Sequence, residues 1–136
     1  MRALIGLLVL AVLLGGCSFA EDEDRGERAV ARFHHLFAVS EYSQIYADTT
    51  QDFREAATEA EFVEFMSAVR VKLGNVRACE LTGVEMDLEG EGTSIWLSYH
   101  SAYELGEATE QFAWVMEGEK ALLQRYQIDS KELIVR

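Results

Sequence analysis

The stretch Thr58 to Gly74, TEAEFVEFMSAVRVKLG, stands between a helical first half of the chain and a β-rich second half. Thr58 and Glu61 have the spacing of a capping box, in which each side chain bonds to the backbone N–H of the other residue. Apolar residues then recur every three or four positions, and Gly74 follows the last of them, where a left-handed C-cap residue is common. The pattern predicts an amphipathic helix that begins after Thr58 and ends at Gly74.

Shorter helical patterns come before this helix. From residue 29 to about residue 40, Val30, Phe33 and Phe37 recur at the spacing of one helical face. A short helical piece is predicted over 41–47, and another turn or two up to Ala57, after the polar residues 48–50 that can cap it.

After Gly74 the chain is rich in β-branched and aromatic residues, interrupted by glycines with acidic neighbours. These runs predict four strands, over 76–87, 93–105, 107–117 and 121–129. The connections have hairpin-turn chemistry, so consecutive strands should form an antiparallel meander. Helices followed by a meander predict an α+β domain, with the N-terminal helices packed on one face of a four-stranded antiparallel sheet.

Composition limits the classes of function. The chain has 136 residues, 49% of them hydrophobic and 26% charged, which is typical of a single folded domain. Its 24 acidic and 12 basic side chains give a net charge of −12. Such a charge repels the phosphate backbone of nucleic acids, so we expect no nucleic-acid partner.

The N-terminus has the features of a targeting segment. Arg2 precedes an uninterrupted apolar run from Ala3 to Leu14, which fits the hydrophobic region of a signal peptide but is too short to span a bilayer comfortably. Leu14-Gly15-Gly16-Cys17 resembles the lipobox of bacterial lipoproteins. That resemblance implies cleavage before Cys17 and acylation of its thiol; an ordinary secretory signal with an incidental cysteine, or an uncleaved anchor, are the alternatives.

The predicted organisation is a lipoprotein signal peptide over 1–16, a lipidated Cys17 with an acidic tether over 17–28, and one α+β domain over 29–136. The lipid would hold the protein to a membrane on the periplasmic side of the bacterial cell envelope. Ser18 follows the cysteine, and the sorting pattern of enteric lipoproteins then favours the outer membrane. With Cys17 acylated, Cys79 has no partner in the chain, and we expect it to be buried and inert.

A second resemblance covers roughly residues 29 to 130. Four segments resemble a family of small bacterial lipoproteins, named only as a domain of unknown function, with the cystatin-like roll that nuclear-transport-factor-2-like proteins share. The segments are EYSQIY at 41–46, FREAAT at 53–58, LGNV at 73–76 and VMEGEK at 115–120, the last before a strand that contains Tyr126. The resemblance implies a cystatin-like roll and an envelope protein without an assigned reaction.

Such a roll can enclose a cleft between its helices and its sheet. We expect aromatic side chains to line this cleft, namely Phe37, Tyr46, Phe65, Trp96, Tyr99, Trp114 and Tyr126. His100 is the candidate acid or base there. Because side chains alternate along a strand, however, Tyr99 and His100 cannot both point into the cleft.

No metal or cofactor is expected. His34 and His35 are adjacent on a predicted helix, so one should flank the core and the other should be exposed, and neither has a ligand one turn further on. The acidic turn at 87–92 imitates the start of an EF-hand loop, but Ser98 stands where a bidentate glutamate is needed.

The sequence favours a non-catalytic module that binds a small apolar ligand or an envelope protein. The alternative is a small proton-transfer enzyme of the isomerase or dehydratase type that uses the same cleft, with His100 or a tyrosine as acid or base. The sequence does not distinguish this binding module from a purely structural or stress-associated envelope protein. Pairing of sheet edges across a two-fold axis would also allow a homodimer.

Overall fold

The computed structural model describes residues 13–87 and 92–134, with 13–18 described by their backbone alone. Helices come first: α1 (Leu13–Ala38), α2 (Tyr42–Ala47), α3 (Gln51–Ala56) and α4 (Glu59–Leu73). The strands follow as β1 (Val76–Asp87), β2 (Thr93–Tyr103), β3 (Gly106–Glu117) and β4 (Lys120–Asp129), and a short α5 (Lys131–Ile134) comes after them. The predicted α+β arrangement, with helices before a four-stranded sheet, is confirmed.

The helix α4 forms as its sequence predicts. The Thr58 hydroxyl accepts from the Glu61 backbone N–H at 3.2 Å, and the Glu61 carboxylate accepts from the Thr58 N–H at 3.0 Å, which completes the capping box. The helix ends at Gly74, whose φ of 75° lies in the left-handed region that favours glycine. Its buried residues are Phe62, Met66, Val69 and Leu73.

The four strands form one sheet in the order β1-β2-β3-β4, with every neighbouring pair antiparallel. The segment between α2 and α3 adds a short bridge to the outer edge of β4: the Thr50 N–H donates to the Leu123 carbonyl at 3.0 Å, and the Leu123 N–H donates to the Asp48 carbonyl at 2.9 Å. These bonds fix the position of the two short helices against the sheet.

The core lies between the helices and one face of the sheet. Alternate residues of β2 face the helices, and Ile95, Leu97, Tyr99, Ser101 and Tyr103 are all buried. Helix α1 lies against this face through Val30, Phe33 and Phe37, which are buried as their spacing predicts.

The segment 17–28, predicted as an acidic tether, is helical and belongs to α1. Ion pairs one turn apart join Asp22 to Arg25 at 3.5 Å and Asp24 to Arg28 at 2.9 Å. Gly26 is buried, and a Cβ built on it would lie 2.9 Å from Leu97 Cδ1. A glycine can thus make a helix–sheet contact that a search for apolar side chains overlooks. The signal segment up to residue 12 and the Cys17 side chain lie outside the described residues.

The expectation that Cys79 is buried is also wrong. Cys79 is exposed on β1, the edge strand, where its register partner is Ser101 of β2. That expectation rested on the hazard of a free thiol in an oxidising compartment and not on a pattern of burial in the sequence.

Candidate functional site

A carboxylate lies in the core of this domain. Glu110 is 0% exposed, because β3 alternates and turns Glu110, Phe112 and Trp114 toward the helices. Its Oε1 accepts from Ser101 Oγ at 2.6 Å and lies 2.9 Å from His34 Nε2. Its Oε2 accepts from the Tyr126 hydroxyl at 2.6 Å. We call these four residues, His34, Ser101, Glu110 and Tyr126, the Glu110 network.

The network keeps Glu110 ionised. Burial alone would raise the pKa of Glu110, but the hydrogen bond and charge of His34, with the hydrogen bonds from Ser101 and Tyr126, outweigh burial and lower that pKa below its ordinary value. Burial and the Glu110 charge in turn raise the pKa of Tyr126 well above its ordinary value. Tyr126 therefore stays protonated and directs its proton at Glu110.

A small cavity of about 40 Å³ lies between α1, α2 and the β3–β4 hairpin. Its apolar wall includes Phe33, Leu36, Ile45, Trp114 and Leu123. Trp114 is only 4% exposed, and its indole Nε1 has no hydrogen-bond partner among the described residues. Most buried N–H groups are paired, so this donor needs a physical explanation.

Two phenylalanines separate this cavity from the Glu110 network. The ring of Phe112 stacks on that of Trp114 with centroids 5.9 Å apart and an interplanar angle of 5°. Phe112 also contacts Phe33 edge-on at 5.1 Å and Tyr126 at 5.1 Å. No residue of the Glu110 network lines the cavity.

A groove of about 420 Å³ adjoins the cavity and shares Ala29, Arg32, Asp48 and Ala121 with it. The charged side chains along the groove are Arg25, Arg28, Arg32, Lys120, Asp48 and Glu119. Arg32 and Asp48 form an ion pair at 3.2 Å where the groove meets the cavity. We call the cavity and the groove together the α1 cleft.

The structure brings four of the predicted cleft aromatics into the helix–sheet interior. Phe37, Tyr99 and Trp114 are buried there, and Tyr126 contacts Phe33 with ring centroids 4.7 Å apart. Of these four only Trp114 lines the α1 cleft. Tyr46 packs instead among the helices, against Phe62 and Phe53, and donates to the Ala57 carbonyl at 2.7 Å.

Three predicted site residues lie elsewhere, and their assignment to the cleft is corrected. Phe65 is 46% exposed, because the buried stripe of α4 runs through Phe62 and Met66 and leaves Phe65 outside it. Trp96 and His100 lie on the sheet face turned away from the helices, as the alternation of β2 requires. The His100 side chain is 49% exposed, with Nε2 3.6 Å from Glu107.

Sequence reasoning overlooked the partners of Glu110. The expectation that one of the adjacent histidines flanks the core is confirmed, because His34 contacts Glu110 and His35 is exposed. A signal for Glu110 was present, since it is in phase with the inward-facing Phe112 and Trp114. Nothing in the sequence marks Trp114 as a donor without an acceptor, because that depends on the packing of three elements around it.

Comparison with known proteins gives no further assignment: no family model matches the chain, and no curated protein matches it significantly. Within the described residues, no helix combines the length and hydrophobicity needed to cross a membrane. The same residues contain no group of three or more histidine, cysteine or acidic side chains that could hold a metal ion. Residues 88–91, in the turn that imitates an EF-hand, lie outside the described part.

Proposed function

We propose that this chain is a lipid-anchored cell-envelope protein whose domain binds a small ligand, without catalysis, in the α1 cleft. The observation that carries the binding proposal is the apolar cavity of about 40 Å³ that Trp114 helps to line, where it adjoins the charged groove. An apolar end of a ligand would fill the cavity, and its polar part would lie in the groove.

The alternative, a proton-transfer enzyme, has one observation in its favour, the buried pair of His34 and Glu110. Both carboxylate oxygens already accept hydrogen bonds, and a lowered pKa makes Glu110 a weak base. The pair also does not line the α1 cleft. These contacts favour a structural role for the network and ligand binding for the cleft.

The binding proposal can be tested by following the Trp114 indole N–H in proton–nitrogen NMR spectra. The chain has 2 tryptophans, so Trp96→Phe assigns both signals. N-methylacetamide is the probe, because it is water-soluble and its methyl groups are small enough for a cavity of about 40 Å³. We expect a saturable shift of the Trp114 signal.

Two variants make that result specific. Ala121→Leu should abolish the shift, because Ala121 lines the cavity and a larger side chain would fill it. Ala78→Leu, an exposed change on β1, should leave the shift unchanged. Equal shifts of the two indoles, or a shift that survives Ala121→Leu, would contradict binding in the cavity.

The anchor is supported by the apolar run over 3–14 and by Leu14-Gly15-Gly16-Cys17. In bacteria fed an alkyne fatty acid, we expect the protein to take up the label and to fractionate with membranes, the outer membrane in preference because Ser18 follows the cysteine. Cys17→Ser should lose both properties and Cys79→Ser should keep both. Label that remains on Cys17→Ser would contradict the anchor.

A further inference from the structure

We propose that the free edge of β1 is a docking surface for an extended segment of another protein, which adds to the sheet as a further strand. The segment would alternate apolar and polar residues and carry two lysines or arginines four positions apart. This edge lies on the opposite side of the sheet from the β3–β4 hairpin that borders the α1 cleft. The inference therefore does not depend on ligand binding in that cleft.

The backbone of β1 is unpaired along one side. β1 is the first strand in the sheet order and pairs with β2, whereas β4, at the other edge, bonds to the segment between α2 and α3 through Leu123. Among the described residues, no other backbone segment bonds to β1 over 78–87. The N–H and C=O groups on its outer side therefore form a template for an added strand.

The face of β1 turned toward the helices is apolar. Its register with the inward-facing residues of β2 places Cys79, Leu81, Val84 and Met86 on this face. The last three are half-buried and pack against the core. Over 78–87 no charged side chain of β1 lies on this face, and an inward-pointing charge is one of the devices that block edge pairing. Apolar side chains of an added strand would extend the core here.

The other face of β1 is acidic. Glu80 and Glu85 lie on the face turned away from the helices, both are exposed, and neither forms an ion pair with any residue that the structure describes. Because β1 has one extra residue at Thr82, their register partners on β2, His100 and Trp96, are only four positions apart. A strand added on the outer side meets the same bulge. Its two basic residues should therefore also be four positions apart.

The same charges disfavour a second copy of this chain at the edge. Antiparallel pairing of β1 with itself over 78–87 keeps the apolar residues on one face and sets Thr82 opposite Gly83 of the second copy. That register also sets Glu80 opposite Glu85 of the second copy, twice. Like charges directly opposite each other destabilise a strand pair, whereas opposite charges stabilise it. The edge therefore favours a basic partner over self-pairing.

A palindromic peptide tests the docking. Acetyl-TVKVTVKVT-amide alternates valine with polar residues and carries its two lysines four positions apart. It reads the same in both directions, so it fits a parallel or an antiparallel added strand. In proton–nitrogen NMR spectra of the Cys17→Ser protein, we expect saturable shifts confined to the amides of β1 and its neighbours in β2. Acetyl-TVEVTVEVT-amide should not bind.

Matched variants test the role of charge. Glu80→Gln and Glu85→Gln should each weaken binding of the lysine peptide about two- to fivefold, as expected for the loss of one exposed ion pair. Glu64→Gln, an equal change of charge at an exposed position of α4, should leave the affinity unchanged. Glu80→Lys combined with Glu85→Lys should reverse the preference, so that the glutamate peptide binds and the lysine peptide does not.

N-methylated peptides separate strand pairing from charge attraction. In an added strand, alternate N–H groups point at the neighbouring strand and the others at solvent. Of two lysine peptides, one N-methylated at its valines and the other at its remaining residues, one should lose binding and the other should keep it. Equal binding of these two peptides would overturn the inference, as would an affinity that both glutamine variants leave unchanged.

Two further outcomes would also overturn the inference. If the β1 amides shift when the protein concentration alone is raised, a second copy takes the edge. If the lysine peptide shifts no β1 amide, the edge does not accept a strand, whatever the Trp114 signal shows with N-methylacetamide.

Discussion

Replacing His34 by alanine tests whether the Glu110 network holds the core together. The substitution leaves Ser101 and Tyr126 as donors to Glu110 but removes the imidazole, whose Nε2 lies 2.9 Å from a carboxylate that is 0% exposed. The loss leaves a buried, ionised carboxylate one hydrogen bond short, and hydrogen bonds to charged groups contribute about 1.5–3 kcal/mol each. The free energy of unfolding of a single domain is only about 5–15 kcal/mol, so we expect His34→Ala to remove a large part of the stability.

The control is the second histidine–glutamate pair. His100 and Glu107 lie 3.6 Å apart, with side chains 49% and 73% exposed. We expect His100→Ala to cost less than about 1 kcal/mol, as exposed ion pairs do. Both variants are unfolded with urea in a Cys17→Ser background and followed by far-ultraviolet circular dichroism. The midpoints give the two changes in free energy of unfolding, provided that the slope of this free energy against urea concentration stays unchanged.

The pH dependence gives a second measure of the same network. The pKa of Glu110 is lower in the folded protein than in the unfolded chain, so the unfolded chain binds more protons as pH falls below about 4.5. The stability that Glu110 contributes is therefore present above that pH and is lost as pH falls through the lowered pKa. Glu110→Gln should lose this part of the acid sensitivity, and His34→Ala should weaken it.

A double-mutant cycle decides between a direct interaction of His34 with Glu110 and a simple loss of packing. If the pair is coupled, combining His34→Ala with Glu110→Gln should cost clearly less than the sum of the two single changes. The reasoning is refuted if the two changes are additive, or if His34→Ala costs no more than His100→Ala.

Three further substitutions or reactions probe single features of the fold. Thr58→Ala removes the capping box of α4 and should cost about 1 kcal/mol in urea unfolding; no loss would show that the cap contributes nothing. Gly26→Val should lower the free energy of unfolding by about 1–3 kcal/mol, because the new Cβ would overlap Leu97. The control Gly83→Ala should cost less, because its Cβ would lie 3.7 Å from the nearest atom. Equal costs would contradict the contact of α1 with the sheet. Partial desolvation and the Glu110 charge raise the pKa of the exposed Cys79 thiol. It should therefore react with iodoacetamide at pH 8 in the folded Cys17→Ser protein, and faster once the protein is unfolded in urea; no reaction when folded would contradict its exposure.

The sequence predicts the elements of this fold better than it predicts the site. The capping box before α4 and the glycine-containing turns are local signals: the residues that form each of them lie within a few positions in the sequence. Such signals can be recognised without the tertiary structure. Helix α1 was predicted too short, because Gly26 contributes burial without any apolar side chain. The Glu110 network joins residues 76 positions apart in the chain, as for His34 and Glu110, and no local pattern records such a contact.

The continuity of α1 bears on how the domain would be presented at a membrane. The helix runs without a break from Leu13 to Ala38, and its contact with the sheet begins by Gly26. With a lipid on Cys17, a helical segment of about 14 Å would connect the anchor to the contact that Gly26 makes with the sheet. The link between lipid and domain would then be helical instead of extended, so the domain could tilt about its attachment point but could not move far from the bilayer.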